Sequence, residues 1–300
     1  MQPLVDRGMN QSLTKEHKRI SIIMAVYWKD DSASFEQALK SIYCEQEMRP
    51  DEIVLVKNGP LTVELDEVIE NTRVLMEGRL VVIENTENKG LPTALNQAIQ
   101  HAQGEFLARM DADDVSTPDR LQKQYNFLQT HPGVDVLGGA LNYVDKNGDG
   151  EFVRTYPLEH SEMIDYFHKA SPLAHGTVMM RAKVFKKIRY DERHATSQDL
   201  ALWFDLVSAG YKLANLPDVI YTCFWDDDFY RRRSWRRAWS EFGIYISGIR
   251  RLHGVFSWRY IFPIARLLLR LVPIKLSILI YKSNIKQQLL NRKKAAGHGA

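Results

Sequence analysis

The sequence predicts an α/β fold whose doubly wound sheet is mostly parallel in its first half and mixed in its second. Short apolar runs of strand length alternate with segments of helical spacing over residues 19–114, which is the pattern of a parallel sheet covered by helices. The first run is apolar at nearly every position, as in a central strand that is buried on both faces. A charged fraction of 26% and a hydrophobic fraction of 45% are typical of a globular protein with a sizeable core.

The elements of the first half follow from local patterns. Residues 19–27 form the first strand, and the turn sequence Asn58-Gly59-Pro60 closes the second. The loop Asn88-Lys-Gly-Leu-Pro92 leads into the third helix. In chain order, the predicted elements after the first strand are a helix at 34–47, a strand at 51–57, a helix at 63–74, a strand at 79–84, the helix after Pro92 and a strand at 106–110.

The second half predicts a mixed arrangement. A helix begins at Pro118, and residues 134–144 form a strand that continues into a hairpin with a turn at Asn147-Gly148. The remaining predicted elements are a short helix at 161–169, a strand at 176–181 preceded by His175, and a helix at 197–210 that Gly210 terminates.

Three carboxylates follow the strand at 106–110, namely Asp111, Asp113 and Asp114. Asp is a poor strand residue, and three anions within four positions repel one another unless a cation compensates them. A hard divalent cation, together with the phosphates of a substrate, supplies that compensation. The alternative is a solvated acidic turn with a helix N-cap before Pro118.

Polar residues collect at the carboxyl ends of the predicted parallel strands. Tyr27, Asn58 and the acidic run at 111–114 all lie at such ends, where ligands bind in open α/β sheets. The chain has neither the Gly-x-Gly-x-x-Gly pattern of dinucleotide enzymes nor a P-loop. Carboxylates with a metal ion are therefore the expected means of handling phosphate.

Charge is distributed unevenly along the chain. From Arg231 onward there are 16 Lys and Arg against one acidic residue, Glu241, a balance of +15. The preceding 230 residues carry 40 − 16 = 24 basic and 37 − 1 = 36 acidic groups, a balance of −12. Residues 1–18 form a polar leader without the apolar core of a signal peptide, and the two cysteines lie far apart, so we expect a cytoplasmic protein.

Taken together, these motifs resemble the family 2 glycosyltransferases, which have the Rossmann-like GT-A fold, and most closely the bacterial exopolysaccharide and lipopolysaccharide-core type. The resemblance covers about residues 18–233, so we expect a leader at 1–18, a GT-A domain at 19–233 and a basic C-terminal segment at 234–300. The matching stretches are the opening strand through Val26-Tyr27, residues 51–60, Asn88-Lys-Gly-Leu91, Asp111-Ala-Asp-Asp114 and Gln198-Asp-Leu-Ala-Leu-Trp203.

The resemblance implies a donor site at the acidic motif. Asp113 is expected to bind a Mg²⁺ or Mn²⁺ ion that bridges the nucleotide diphosphate, with Asp111 at the metal and near the ribose and Asp114 in support. Val26 and Tyr27 are expected to line the nucleobase pocket.

Asn58 departs from the family pattern. It stands where the family usually has an Asp that contacts the base, so the base preference is less defined here. An Asn accepts a hydrogen bond as Asp does, but it adds a donor and removes a charge. The alternative for Asn58 is a turn residue before Gly59.

The resemblance also implies an acceptor side. Asp199 is expected to be the catalytic base that takes the proton of an acceptor hydroxyl, which corresponds to a single displacement with inversion. The alternative is a helix N-terminal residue favoured by the dipole. His175 is expected on the acceptor side, or else as a packing residue.

Two arginines are expected at the donor diphosphate. Arg231 and Arg233 stand where related enzymes close a loop on that group, and arginine suits phosphate recognition. Alternatively, they begin the basic tail.

The tail is both basic and apolar. Arg259, Arg266 and Arg270 are spaced to lie on one helical face, and Pro263 and Pro273 interrupt any apolar span of membrane length. We expect basic amphipathic helices that lie on an anionic membrane. The alternative is a helical pair packed on the body or at an oligomer contact. Nucleic acid is not expected as a partner of a chain with an acidic body.

The sequence therefore predicts an inverting, metal-dependent glycosyltransferase at the inner face of the cell membrane. It would use a nucleotide-diphosphate sugar, with UDP as the expected nucleotide, and a glycan or polyprenyl-diphosphate-linked acceptor in surface polysaccharide synthesis. The alternatives are a catalytically degenerate assembly partner and a sugar nucleotidyltransferase. The second requires a Gly-rich basic signature after the first strand, and Ala25-Val-Tyr-Trp-Lys-Asp30 supplies none.

Overall fold

The computed structural model describes residues 19–146, 150–225 and 235–269, and the strands among them form one mixed sheet. The strands are β1 (Ile20–Val26), β2 (Glu52–Lys57), β3 (Leu80–Glu84), β4 (Phe106–Met110), β5 (Val115–Ser116), β6 (Val136–Asp145), β7 (Glu151–Arg154), β8 (Met179–Arg181) and β9 (Leu213–Trp225). The order across the sheet is β3-β2-β1-β4-β8-β6-β9-β5, and β7 pairs with β6 outside this path.

Helices cover the sheet and follow its strands in the chain. They are α1 (Ser32–Leu39), α2 (Val63–Leu75), α3 (Leu91–His101), α4 (Arg120–Thr130), α5 (His160–Tyr166), α6 (Gln198–Ser208), α7 (Trp235–His253) and α8 (Ile261–Leu269). The predicted helix at 34–47 is divided, because α1 passes into a π-helical turn at Lys40–Cys44.

The first four strands confirm the parallel half of the prediction. β1 pairs in parallel with β2 and β4, and β2 pairs in parallel with β3. Alternate residues of β1 enter two different apolar clusters, since Ile22 and Met24 pack in one and Ile23 in the other. A strand buried on both faces needs apolar residues at nearly every position, which is why this run was recognisable.

The second half is mixed, as predicted, although its details differ. β8 is antiparallel to both β4 and β6, whereas β9 runs parallel to β6. The strand predicted at 176–181 starts only at Met179, because His175–Thr177 form a 3₁₀ turn. The predicted hairpin is β6–β7, while its turn at Asn147-Gly148 lies outside the described residues.

The C-terminal helices pack on the body, which agrees with the alternative of a packed helical pair. Ile244, Tyr245 and Ile249 of α7 are buried in the same cluster as α6. Gly248 lies so close to the Phe204 ring that a Cβ there would be 2.3 Å from a ring carbon. α7 is therefore in direct contact with α6, whose first turn carries the predicted catalytic base.

The same helical pair leaves apolar side chains exposed. No helix in the three described ranges is long and apolar enough to span a membrane. The exposed large apolar residues of the C-terminal helices and their connection are Trp239, Val255, Phe256, Trp258, Ile261, Ile264 and Leu268.

Candidate active site

The carboxyl ends of β1 and β2 bring together the residues predicted at the nucleobase pocket. The carbonyl of Val26 accepts a hydrogen bond from the backbone N–H of Asn58 (2.8 Å). Tyr27 follows and is half-buried, and its N–H donates to Oδ2 of Asp30 (2.9 Å). The side chain of Val26 is buried in the core, so it is the backbone of Val26 that contacts the end of β2.

Asn58 joins two loops. Its Oδ1 accepts a hydrogen bond from the N–H of Lys89 (3.0 Å), and its Nδ2 donates to Oδ1 of Asn88 (3.1 Å). Oδ1 of Asn88 also accepts from the N–H of Gly90 (2.9 Å). The side chain of Asn58 is buried, so it fixes the Asn88-Lys-Gly loop against the end of β2.

Asp111 follows β4 directly and forms an ion pair that sequence reasoning missed. Both of its carboxylate oxygens accept hydrogen bonds from the guanidinium of Arg109. The N–H of Asp111 donates to the hydroxyl of Tyr221 on β9 (3.1 Å). Burial raises the pKa of the Asp111 carboxyl, and the Arg109 guanidinium acts in the opposite sense. An arginine in a buried strand, two positions before an Asp, was a signal that could have indicated this pair.

Asp114 anchors the acidic motif to β9. Its Oδ1 accepts a hydrogen bond from the N–H of Phe224 (3.1 Å), and its side chain is buried. Burial raises the pKa of Asp114 to about 8, with further contributions from the Asp111 and Asp113 carboxylates. The charges of Asp111 and Asp113 thus disfavour the ionised form of Asp114 in the protein alone.

The donor set suits a hard divalent cation that also binds substrate oxygens. In the ranges that the structure describes, no group of three or more His, Cys, Asp or Glu side chains is arranged to hold a metal by itself. One or two carboxylates with substrate phosphates are, however, the usual ligands of Mg²⁺. The Asp111 and Asp113 carboxylates raise the pKa of Asp114, and a bound cation would relieve this repulsion. The acidic motif is thus compatible with Mg²⁺ or Mn²⁺, whose binding at Asp111 and Asp113 stays a prediction.

Asp199 lies in the first turn of α6, after Ser197 in the left-handed region (φ 58°). Burial raises the pKa of its carboxyl, and the Arg109 guanidinium lowers it. Trp203, one turn further along, has its ring 6.0 Å from that of His175. The Asp199 end of α6 therefore lies near the turn that carries His175.

His175 pairs with a tyrosine. Its Nε2 lies 2.7 Å from the hydroxyl of Tyr190. Burial lowers the pKa of His175 well below its usual range, so the ring is neutral at pH 7. A neutral imidazole in this place can hydrogen-bond but carries no charge. Arg231 and Arg233, which were predicted at the diphosphate, lie outside the described residues.

Comparison with known proteins identifies the family. The model of "Glycosyl transferase family 2" matches residues 21–189. An amylovoran biosynthesis glycosyltransferase of Erwinia amylovora is 30% identical over 89% of this chain and 99% of its own length. A UDP-Gal:alpha-D-GlcNAc-diphosphoundecaprenol beta-1,3-galactosyltransferase of Escherichia coli is 25% identical over 92% of this chain and 100% of its own.

A solved structure shows the same fold. The mannosyltransferase of Pyrobaculum calidifontis in complex with GDP-Man and Mn²⁺ superposes with a TM-score of 0.57 at 18% identity, covering 90% of this chain and 81% of that one. The GT-A fold is therefore confirmed for this sheet and its helices. The chain belongs to glycosyl transferase family 2, whose bacterial polysaccharide-synthesis members its motifs resemble.

Proposed function

We propose that the protein transfers a sugar from a nucleotide-diphosphate sugar, a UDP-sugar in particular, to a glycan acceptor with inversion at the anomeric carbon. The observation that carries the proposal is the position of the acidic motif. Asp111 and Asp114 lie at the same edge of the sheet as Val26 and Asn58, because β4, β1 and β2 are parallel neighbours. One crevice can then bind a base at one end and a diphosphate at the other.

The chemistry needs one base and no covalent nucleophile from the protein. In the proposed step the Asp199 carboxylate takes the proton of the acceptor hydroxyl while the hydroxyl oxygen bonds to the anomeric carbon. The bond from that carbon to the diphosphate oxygen breaks in the same displacement, which inverts the configuration. Asp111 and Asp113, with Asp114 in support, would hold Mg²⁺ or Mn²⁺, which when bound stabilises charge on the departing diphosphate. His175 would line the acceptor side as a neutral ring.

The acceptor is proposed to be a growing, lipid-linked glycan at the inner face of the cell membrane. The Escherichia coli relative named above acts on a diphosphoundecaprenol-linked sugar. The exposed apolar residues of the α7–α8 pair and the basic composition of residues 231–300 are features that suit binding to an anionic membrane. Arg231 and Arg233 are proposed to contact the donor diphosphate.

Calorimetric binding of UDP and of GDP, in Mn²⁺ and then in excess EDTA, tests the proposal. We expect wild-type protein to bind UDP when Mn²⁺ is present and not in excess EDTA. The Asp113→Asn variant should lose most of that affinity. Asp165→Asn is a matched control, because the Asp165 side chain is exposed and pairs with Arg259 (2.8 Å), and it should bind as wild type does. Absence of binding to either nucleotide would favour the degenerate assembly partner instead.

A further inference from the structure

Arg109 is a buried cation that pairs with the first carboxylate of the acidic motif. It lies on β4, where its side chain is 5% exposed, whereas the side chain of its partner Asp111 is 29% exposed. The guanidinium thus stands behind Asp111, away from solvent, and the Asp111 carboxylate stands in front of it. A ligand that enters from solvent would meet Asp111 first.

The position of Arg109 is fixed on several sides. Its N–H donates to the carbonyl of Val178 (2.9 Å), and its own carbonyl accepts from Nη2 of Arg120 (2.8 Å). The buried Arg120 guanidinium lies over the ring of Tyr221, 5.2 Å from the ring centroid, and the Tyr221 hydroxyl accepts from the N–H of Asp111. The backbone of Arg109 is therefore bonded to the residue before β8 and, through Arg120, linked to β9, while its side chain is held by both oxygens of Asp111.

We infer that Arg109 is a positioning residue that holds the Asp111 carboxylate in a fixed orientation toward the donor. The inference rests on the proposed function. A planar guanidinium is needed for this role, since it contacts both oxygens of one carboxylate. A positive charge of another shape keeps the attraction but not the orientation.

Two substitutions test this role. Arg109→Lys keeps the charge but loses the two-pronged contact, so affinity for UDP in Mn²⁺ should fall about 10- to 100-fold, the usual effect of losing a partner that orients a ligating group. Arg109→Gln removes the charge as well and should bind UDP no more tightly than Arg109→Lys. Affinity is measured by calorimetry, independently of turnover.

A double variant shows whether the donor effect passes through Asp111. If it does, Arg109→Lys combined with Asp111→Asn should bind UDP no more weakly than Asp111→Asn alone. Additive losses would contradict the positioning role.

A purely structural ion pair predicts a different result. Variants with a lowered Tm but unchanged UDP affinity would overturn the inference. If Arg109→Gln does not fold, Arg109→Lys decides the donor role, and failure of both to fold would also overturn the inference. Wild-type protein that binds neither nucleotide would overturn the proposed function itself, which is a distinct outcome.

Discussion

The side chain of Asn58 donates a hydrogen bond from Nδ2 to Oδ1 of Asn88 over 3.1 Å. That acceptor oxygen also receives the N–H of Gly90, so the Asn88 amide cannot turn over without losing this second bond. An Asp at position 58, which the family usually has, could not donate to it. The Asn at position 58, where the family usually has Asp, is thus matched by an acceptor oxygen on the loop that its side chain contacts.

We predict that Asn58→Asp lowers the free energy of unfolding by about 1–3 kcal/mol, the cost of leaving a buried polar group unpaired. The introduced carboxylate would face Oδ1 of Asn88, an acceptor, with no donor between them. Urea unfolding measures the change. Asn71→Asp, at an exposed position of α2, is the control and should differ little from wild type. Equal stability of the two variants would refute this account of Asn58.

The pH dependence of transfer should report the environment of Asp199. Burial raises the pKa of this carboxyl above its ordinary value of 3.8. Because a base must be ionised to accept a proton, activity should be lost as the pH falls through this raised value, at a higher pH than for an exposed Asp. The measurement is kcat/KM against pH for wild-type protein.

Asp199→Asn should lower kcat by about 10²- to 10⁴-fold, the usual contribution of a general base. Asp205→Asn is the control, because Asp205 lies further along α6 and pairs with Arg251. This variant should keep the wild-type rate and lose activity at the same pH as wild type. Transfer that survives in Asp199→Asn would show that another group is the base.

The parallel half of the fold could be predicted because its strands are buried on both faces and carry unbroken apolar runs. β9 could not, because Pro217 and Asp218 interrupt its pattern where its register on β6 shifts between Gly139 and Ala140. This strand nevertheless supplies Tyr221 and the N–H of Phe224 to the acidic motif. Such contacts join residues 110 positions apart, and local periodicity carries no information about them.

The candidate site, too, could be predicted only in part. Asp111, Asp113 and Asp114 were recognisable because they lie within four positions of the chain. The role of Arg109 depends on which strands lie beside β4, and only the fold shows that.

Two glycines of α7 test the packing of this helix on α6. Gly248→Ala should destabilise the protein by about 1–3 kcal/mol, since the added Cβ would lie 2.3 Å from the Phe204 ring. Gly243→Ala is the matched control, because a Cβ there meets nothing within 4 Å and Ala is the better helix former, worth about 0.5–1 kcal/mol. In thermal unfolding, Gly248→Ala should lower the Tm and Gly243→Ala should raise it. Equal effects would mean that α7 does not pack on α6 in solution.

Membrane binding should depend on exposed apolar residues of the C-terminal pair. Val255 is 59% and Phe256 103% exposed, in a C-terminal segment whose basic composition favours an anionic surface. Replacing both by Ser should lower the affinity for phosphatidylglycerol vesicles by about tenfold or more, given roughly 1 kcal/mol per partly inserted side chain. Cosedimentation measures the affinity, with phosphatidylcholine vesicles as the uncharged comparison.

The matched control for membrane binding lies on α2. Val74 and Leu75 are 79% and 60% exposed, so replacing both by Ser removes similar apolar surface from another part of the molecule. This variant should sediment with anionic vesicles as wild type does. Loss of binding in both double variants would indicate a nonspecific apolar effect. Unchanged binding in the Val255 and Phe256 variant would mean that charge alone, or another surface, brings the enzyme to the membrane.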